Sequence, residues 1–240
     1  MINDVIIACD FASAKETLDF LDRFGGEKPF VKIGMELFYA EGPDIVRALK
    51  DRGHPVFLDL KLHDIPNTVK KTMRVLAGLG ADIVNLHAAG TRSMMSAALD
   101  GLEEGAAAGG RERRPLLIAV TQLTSTDQIA MEQELLIGGN LEDVVLAYAK
   151  NAALAGLDGV VCSPLEAGAV HETCGAAFLT VTPGVRFAGG DAGDQKRVTT
   201  PAMAHKLGSD CIVMGRPITG AADPVAAWHQ AREEFLKVSP

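Results

Sequence analysis

What this 240-residue chain lacks already removes several classes of function. It contains neither G-x-x-x-x-G-K-[S/T] nor G-x-G-x-x-G, so the two common glycine loops that cradle nucleotide-cofactor phosphates are missing. It has no Cys-x-x-Cys, and His171-Glu172 is not followed by the second histidine of a zinc helix, so no metal site is expected. Cysteine is scarce: Cys9, Cys162 and Cys211 sit in apolar, strand-like runs and Cys174 stands apart, a pattern of small buried hydrophobes in a reducing compartment. Positive charge is short, with 23 Lys and Arg against 31 Asp and Glu, a net −8 that argues against general nucleic-acid binding. No apolar run approaches the ~18 residues of a membrane span, and the opening MINDVIIACD lacks the basic segment of an export signal. The expectation is a cytoplasmic protein that uses no cofactor and binds neither membrane nor nucleic acid.

What is present is alternation. Short β-rich runs occur at Val5–Cys9, Phe30–Gly34, Val56–Leu60, Ile83–His87, Leu116–Thr121, Gly159–Cys162, Phe178–Thr182 and Cys211–Met214. Their spacing averages about thirty residues, the length of one βα unit. Several are continuous Val/Ile/Leu stretches, as in strands covered on both faces of a parallel sheet. Helix signals lie between them: Ser13-x-x-Glu16 as a capping box, Pro66-Asn67 ahead of the stripe Val69, Met73, Leu76 and Leu79, and Asp223-Pro224 ahead of a closing helix. Eight such units predict an α/β fold, a (β/α)₈ TIM barrel forming one domain over 1–240; an open doubly wound sheet is the alternative. Gly105–Arg114 reads as a solvated helix end. Arg186–Val198 reads as a long functional loop after the seventh strand.

TIM barrels do their chemistry at the C-terminal ends of the strands. The ionisable residues there are Asp10, Lys32, Asp59 and Lys61, with Asp64 five residues beyond Asp59. Asp59 and Lys61, two apart in a strand, are expected to share the interior face. A lysine in so apolar a setting needs carboxylates to keep it charged, and Asp59, Asp10 and Asp64 are the candidates. A purely structural ion-pair network is the competing reading. After the seventh and eighth strands, where such barrels often bind phosphate, stand Thr182-Pro183-Gly184-Val185-Arg186 and Gly215-Arg216, with Gln195 in the long loop as a further donor. His63 reads as a polar loop residue, His87 has no assigned role, and Met94-Met95 reads as core.

The segment Phe57-Leu58-Asp59-Leu60-Lys61-Leu62-His63-Asp64-Ile65-Pro66-Asn67-Thr68-Val69 resembles the signature of the orotidine 5′-monophosphate decarboxylase family. The resemblance extends through Asp10, Val31-Lys32-Ile33-Gly34, Val84-Asn85-Leu86-His87-Ala88-Ala89-Gly90, Val120-Thr121-Gln122-Leu123-Thr124-Ser125, Thr182–Arg186 and Met214-Gly215-Arg216. It implies cofactor-independent decarboxylation of a pyrimidine nucleotide, with Lys61 protonating C6, Asp59 beside the substrate carboxylate and Lys32 organising the charges. It further implies a homodimer in which Asp64, Ile65 and Thr68 enter the other subunit's site. Asp10 and Lys32 would meet the ribose, and Thr124 the base. Gln195, Gly215 and Arg216 would hold the phosphate, with Pro183 and Arg186 close by. Two rivals are a Mg²⁺-dependent sugar-phosphate relative on the same barrel and a non-catalytic phosphate-ligand sensor.

Overall fold

The computed structural model describes residues 2–189 and 199–236. Its strands are β1 (Asp4–Ala8), β2 (Val31–Ile33), β3 (Val56–Leu62), β4 (Ile83–His87), β5 (Leu116–Val120), β6 (Gly159–Val161), β7 (Leu179–Thr182) and β8 (Cys211–Met214). Each is parallel to the next, and β8 pairs with β1, so the sheet closes. That is the (β/α)₈ barrel expected from the alternation, and closure removes the open-sheet alternative.

The helices are α1 (Ala14–Asp22), α2 (Met35–Glu41), α3 (Asp44–Asp51), α4 (Pro66–Ala77), α5 (Thr91–Ala108), α6 (Gln128–Gln133), α7 (Leu141–Leu154), α8 (Ala167–Cys174), α9 (Pro201–Lys206), α10 (Arg216–Thr219) and α11 (Pro224–Leu236). One helix per strand was expected, but among the described residues the β2–β3 and β5–β6 connections and the segment after β8 each carry two. The cause is legible between α2 and α3: Gly42 adopts φ 67°, and Pro43, lacking an N–H, starts a new helix. Caps behave largely as read. Asp223 Oδ1 accepts from the N–H groups of Val225 and Ala226, and Ser13 Oγ accepts from Glu16 N–H. The reciprocal half of a capping box forms at Ser163–Glu166 rather than at Ser13. None of the helices among the described residues is long and apolar enough to cross a membrane.

Strand alternation sorts the core into two layers. Ile6, Phe57, Ile83, Ile118, Val181 and Cys211 fill the barrel, while Val5, Ile7, Leu58, Val84 and Leu117 pack outward against the helices. Following the inward series upward, apolar gives way to polar: Phe30 to Lys32, Phe57 to Asp59, Ile83 to Asn85, Val120 to Gln122. The lower interior is thus a packed plug that supports a polar upper layer. Outside, α4 and α5 touch through glycine. A Cβ on Gly101 would stand 2.1 Å from the Lys70 carbonyl oxygen, and one on Gly105 would stand 2.3 Å from that of Arg74. Gly105–Arg114 is therefore not wholly a solvated helix end, because Gly105 and Ala106 are buried against α4.

At the N-terminal end, three carboxylates recur in one wiring. Asp82, Asp158 and Asp210 precede β4, β6 and β8, and each accepts a backbone N–H from the strand before: Val56 at 2.7 Å, Leu117 at 2.7 Å and Thr180 at 2.8 Å. Each also binds a basic side chain, respectively Lys50, Arg114 and His171. These contacts tie β3 to β4, β5 to β6 and β7 to β8 at a fixed offset.

Candidate active site

At the opposite end, four charges form a chain across three strands. Asp10, just beyond β1, accepts from Lys32 Nζ of β2 at 2.9 Å. Lys32 lies 3.4 Å from Asp59 Oδ2, and Asp59 Oδ1 accepts from Lys61 Nζ at 2.7 Å. The signs alternate and sum to zero. Asp59 is only 7% exposed and Lys32 9%. Burial alone would push the Lys32 ammonium toward neutrality, but Asp59 and Asp10 more than offset it and raise its pKa above the ordinary lysine value. Burial likewise pushes Asp59 up, and Lys32, Lys61 and Asn85 reverse the sign, so its carboxyl lies below the usual range. Both groups are held charged by each other.

The route by which Lys61 arrives differs from simple alternation. β3 pairs Leu58 with Val84 but Leu62 with Leu86, a register shift that leaves surplus backbone at 59–61. Lys61 takes φ 52°, so the same-face argument for Asp59 and Lys61 does not hold along a regular strand. The two side chains meet because the backbone turns, not because it alternates. Nor does Lys61 share Asp10 and Asp64 as partners: Asp10 belongs to Lys32, and Asp64 is exposed, its Oδ1 accepting from Ile65 N–H.

Two cavities open beside this chain. One of about 220 Å³ is lined by Asp59, Lys61, Gln122, Thr124 and the apolar Phe57, Val161 and Cys162. The other, about 480 Å³, is lined by Asp10, Gly184, Arg186, Gly215 and Arg216. Lys32, Pro183 and Val213 line both, so the two adjoin over the Lys32 side chain. The first combines apolar lining with a few polar groups, as a small ring compound requires, and the second, with two guanidinium groups, suits an anion. Gly184 reaches φ 81°, a left-handed turn that carries the chain from β7 into the second cavity. Beyond it, Val185 bridges Thr199, and Arg186 N–H donates to the Thr199 carbonyl at 2.9 Å, so the two ends of the long loop are joined. A larger concavity of about 650 Å³ lies at the N-terminal end among Ile2, Leu116 and Phe178; volume alone does not mark the chemistry.

Among the residues singled out from the sequence, Asp10, Lys32, Asp59, Lys61, Thr124, Pro183, Arg186, Gly215 and Arg216 therefore converge. Asp64, Ile65 and Thr68 line neither cavity, and Ile65 is 67% exposed. Gln195 lies outside the described residues. Three neighbours had no assigned role. Gln122 lines the smaller cavity. Gly34 leaves room for the ion pair, since a Cβ there would stand 3.1 Å from Asp10 Oδ1 and 3.3 Å from Lys32 Nζ. Asn85 contacts Asp59 from below. The polar ends of the inward-facing series would have marked Gln122 and Asn85. Nothing local marks Gly34. His87, half-buried, with its ring tilted against that of His63 at 5.7 Å between centroids, has its pKa lowered by burial and by the neighbouring His63 and Lys61. Among the described residues no group of three His, Cys, Asp or Glu side chains is disposed to hold a metal ion.

Comparison with known proteins bears on the whole chain. Residues 3–231 match the family described as Orotidine 5′-phosphate decarboxylase / HUMPS family. Proteins named orotidine 5′-phosphate decarboxylase from Bacillus cytotoxicus and Bacillus mycoides are each 54% identical over 239 residues, covering 100% of both chains. A crystal structure of orotidine 5′-phosphate decarboxylase from Lactobacillus acidophilus superposes with a TM-score of 0.86 at 43% identity, covering 97% of this chain and 99% of that one. A Geobacillus kaustophilus structure described as an uncharacterized conserved protein gives 0.85 at 51% identity, covering 96% and 99%.

Proposed function

The chain belongs to the orotidine 5′-phosphate decarboxylase / HUMPS family, and on that premise we propose that it converts orotidine 5′-monophosphate to uridine 5′-monophosphate with Lys61 as the proton donor. This is a carboxy-lyase reaction, the closing step of de novo pyrimidine nucleotide synthesis. The observation that carries the assignment of roles is the buried chain Asp10–Lys32–Asp59–Lys61, ending at a cavity of nucleobase size beside an arginine-lined one.

The chemistry requires such an arrangement. When the bond between C6 and the carboxylate breaks, its electron pair stays on an sp² carbon in the ring plane, where the π system cannot absorb it. A fixed ammonium facing C6 stabilises that charge and then transfers one proton to it. Water returns a proton to the Lys61 amine afterwards. Asp59 faces the departing carboxylate and holds Lys61, while Lys32 couples Asp59 to the ribose side of the site through Asp10. Thr124 meets the polar edge of the base. Arg216, Gly215 and Gln195 take the phosphate, with Arg186 and Pro183 beside them. The uncatalysed reaction is very slow, so the barrier must fall by roughly 20 kcal/mol. No single ion pair supplies that, and binding energy from the phosphate contributes by assembling the charged site.

The reading includes one domain over the whole chain, a reducing cytoplasmic setting and a homodimer with shared sites. Free cysteines support the setting, three of the four being buried, with the Cys9 thiol pushed up to about 12 by burial. The exposure of Asp64, Ile65 and Thr68 supports the dimer, because in a single chain these residues line neither cavity. Mixing Lys61→Ala chains with Asp64→Ala chains is expected to restore activity, since one site of the mixed dimer then carries neither change; mixtures as inactive as their components would remove the shared site. The direct test of the reaction follows ultraviolet absorbance of orotidine 5′-monophosphate with folded protein in EDTA. Loss of the orotate chromophore is expected, and an unchanged spectrum would overturn the assignment. Loss of activity in EDTA alone would point to the Mg²⁺-dependent sugar-phosphate relatives.

A further inference from the structure

Resting on the reading just given, the structure assigns to Asn85 the task of holding Lys61 in its working geometry, as a positioning residue for the decarboxylation. Between the pairs Leu58–Val84 and Leu62–Leu86, β3 takes four steps where β4 takes two. The surplus falls on 59–61 and leaves Lys61 at φ 52°. A residue with a Cβ is strained in that left-handed region, and the conformation persists only where its surroundings over-determine it.

Asn85 supplies the determination. Its Oδ1 accepts from the Lys61 backbone N–H at 2.8 Å, and its Nδ2 donates to Asp59 Oδ1 at 2.7 Å. That same oxygen accepts from Lys61 Nζ at 2.7 Å. One amide, 1% exposed, therefore closes a ring that runs through the Lys61 backbone, the Lys61 side chain and the Asp59 carboxylate. The amide has one possible orientation, because an N–H only donates and a carboxylate only accepts.

The residue type follows from the charges. The four ions beside it sum to zero, so a donor to Asp59 must be neutral to keep that balance. An aspartate at this position would still accept from Lys61 N–H but would set a second carboxylate against Asp59. A leucine would keep the branching at Cγ in a bulkier form and leave a buried N–H and a carboxylate oxygen short of a partner. Asn85 lines neither cavity, so it acts on the substrate only through Lys61 and Asp59.

The experiment compares Asn85→Ala with wild type for kcat and KM on orotidine 5′-monophosphate, Kd for uridine 5′-monophosphate and thermal midpoint. A misplaced proton donor predicts that kcat falls about a hundredfold or more, while KM and the product Kd stay within threefold because the phosphate and ribose contacts are untouched. If the alanine variant does not fold, Asn85→Leu fills the volume without either hydrogen bond and is expected to show the same split. A kcat within threefold of wild type overturns the inference. So does a kcat loss matched by an equal loss of product affinity, the signature of a general structural role. Wild-type protein inactive on the substrate would strike the preceding reading instead, so the two failures are told apart.

Discussion

The two ends of the barrel use the same chemistry in different wiring. At the N-terminal end, Asp82, Asp158 and Asp210 each accept a backbone N–H, so the carboxylate is consumed in fixing one strand against the next. At the C-terminal end, Asp59 among the described residues accepts from side chains alone, namely Lys61, Asn85 and Lys32. The lower carboxylates are also wetter: Asp82 and Asp158 have side chains 40% and 24% exposed, against 9% for Asp59. A carboxylate tied to backbone near water stabilises the fold and tolerates screening. One tied to side chains in a shielded pocket contributes less to the barrel but keeps the neighbouring charges in place for a reaction. The lower end should therefore answer to stability measurements, and the upper end to kinetics.

The strongest way to break this comparison is Lys61→Ala. It is expected to lower kcat/KM by about 10⁴-fold or more, combining the loss of a proton donor and of a fixed charge. The thermal midpoint should move by only a few degrees, since Asp59 retains Lys32 and Asn85. A variant keeping a tenth of wild-type activity would take the chemistry away from the upper end. Asp158→Ala probes the lower end. It strands the Leu117 N–H and takes the carboxylate partner from the Arg114 guanidinium, so the unfolding free energy should fall by about 1–3 kcal/mol, or several degrees in midpoint for a chain of this size. Its kcat should stay within twofold, and a large kinetic defect would show that the two ends are not separable.

The smallest effect sharpens the comparison at β2, where no aspartate clamp precedes the strand. There buried His54 contacts the Pro29 carbonyl through Nδ1 at 3.0 Å. Burial lowers its pKa below the ordinary 6.5, with Lys28, Arg52 and Lys50 acting in the same direction and the Pro29 contact opposing. The unfolded chain then binds the proton more tightly than the folded one. His54 thus contributes stability that is complete above pH 6.5 and is lost as pH falls from 6.5 toward the lower folded value. Urea midpoints measured on either side of that window should drop on acidification in wild type and drop less in His54→Gln; equal drops would remove His54 as the cause.

Much of the barrel was legible because its signals are local. The continuous apolar runs mark strands buried on both faces, and the Asp223-Pro224 and Ser13 caps mark helix starts within four residues of themselves. The strand ends were less exact: β3 continues through Leu62, two residues beyond its apolar run, because Asn85 satisfies the Lys61 N–H that a regular ladder would have used. The extra helices went unread for a different reason, since the break between α2 and α3 lies in one Gly-Pro step inside an otherwise helical pattern.

For the site, the sequence alone determined which charged residues stand at the strand ends, because side-chain periodicity and strand limits are properties of neighbouring residues. It did not determine who pairs with whom. That Asp10 meets Lys32, that Lys61 turns left-handed to reach Asp59, and that Asn85 joins the two depends on the offset between adjacent strands. The partners are separated by 22 and 26 residues, and only the closed barrel sets their distance. Electrostatic pairing falls off with distance and with exposure to water, so it is decided where the fold places the charges and not by their order along the chain.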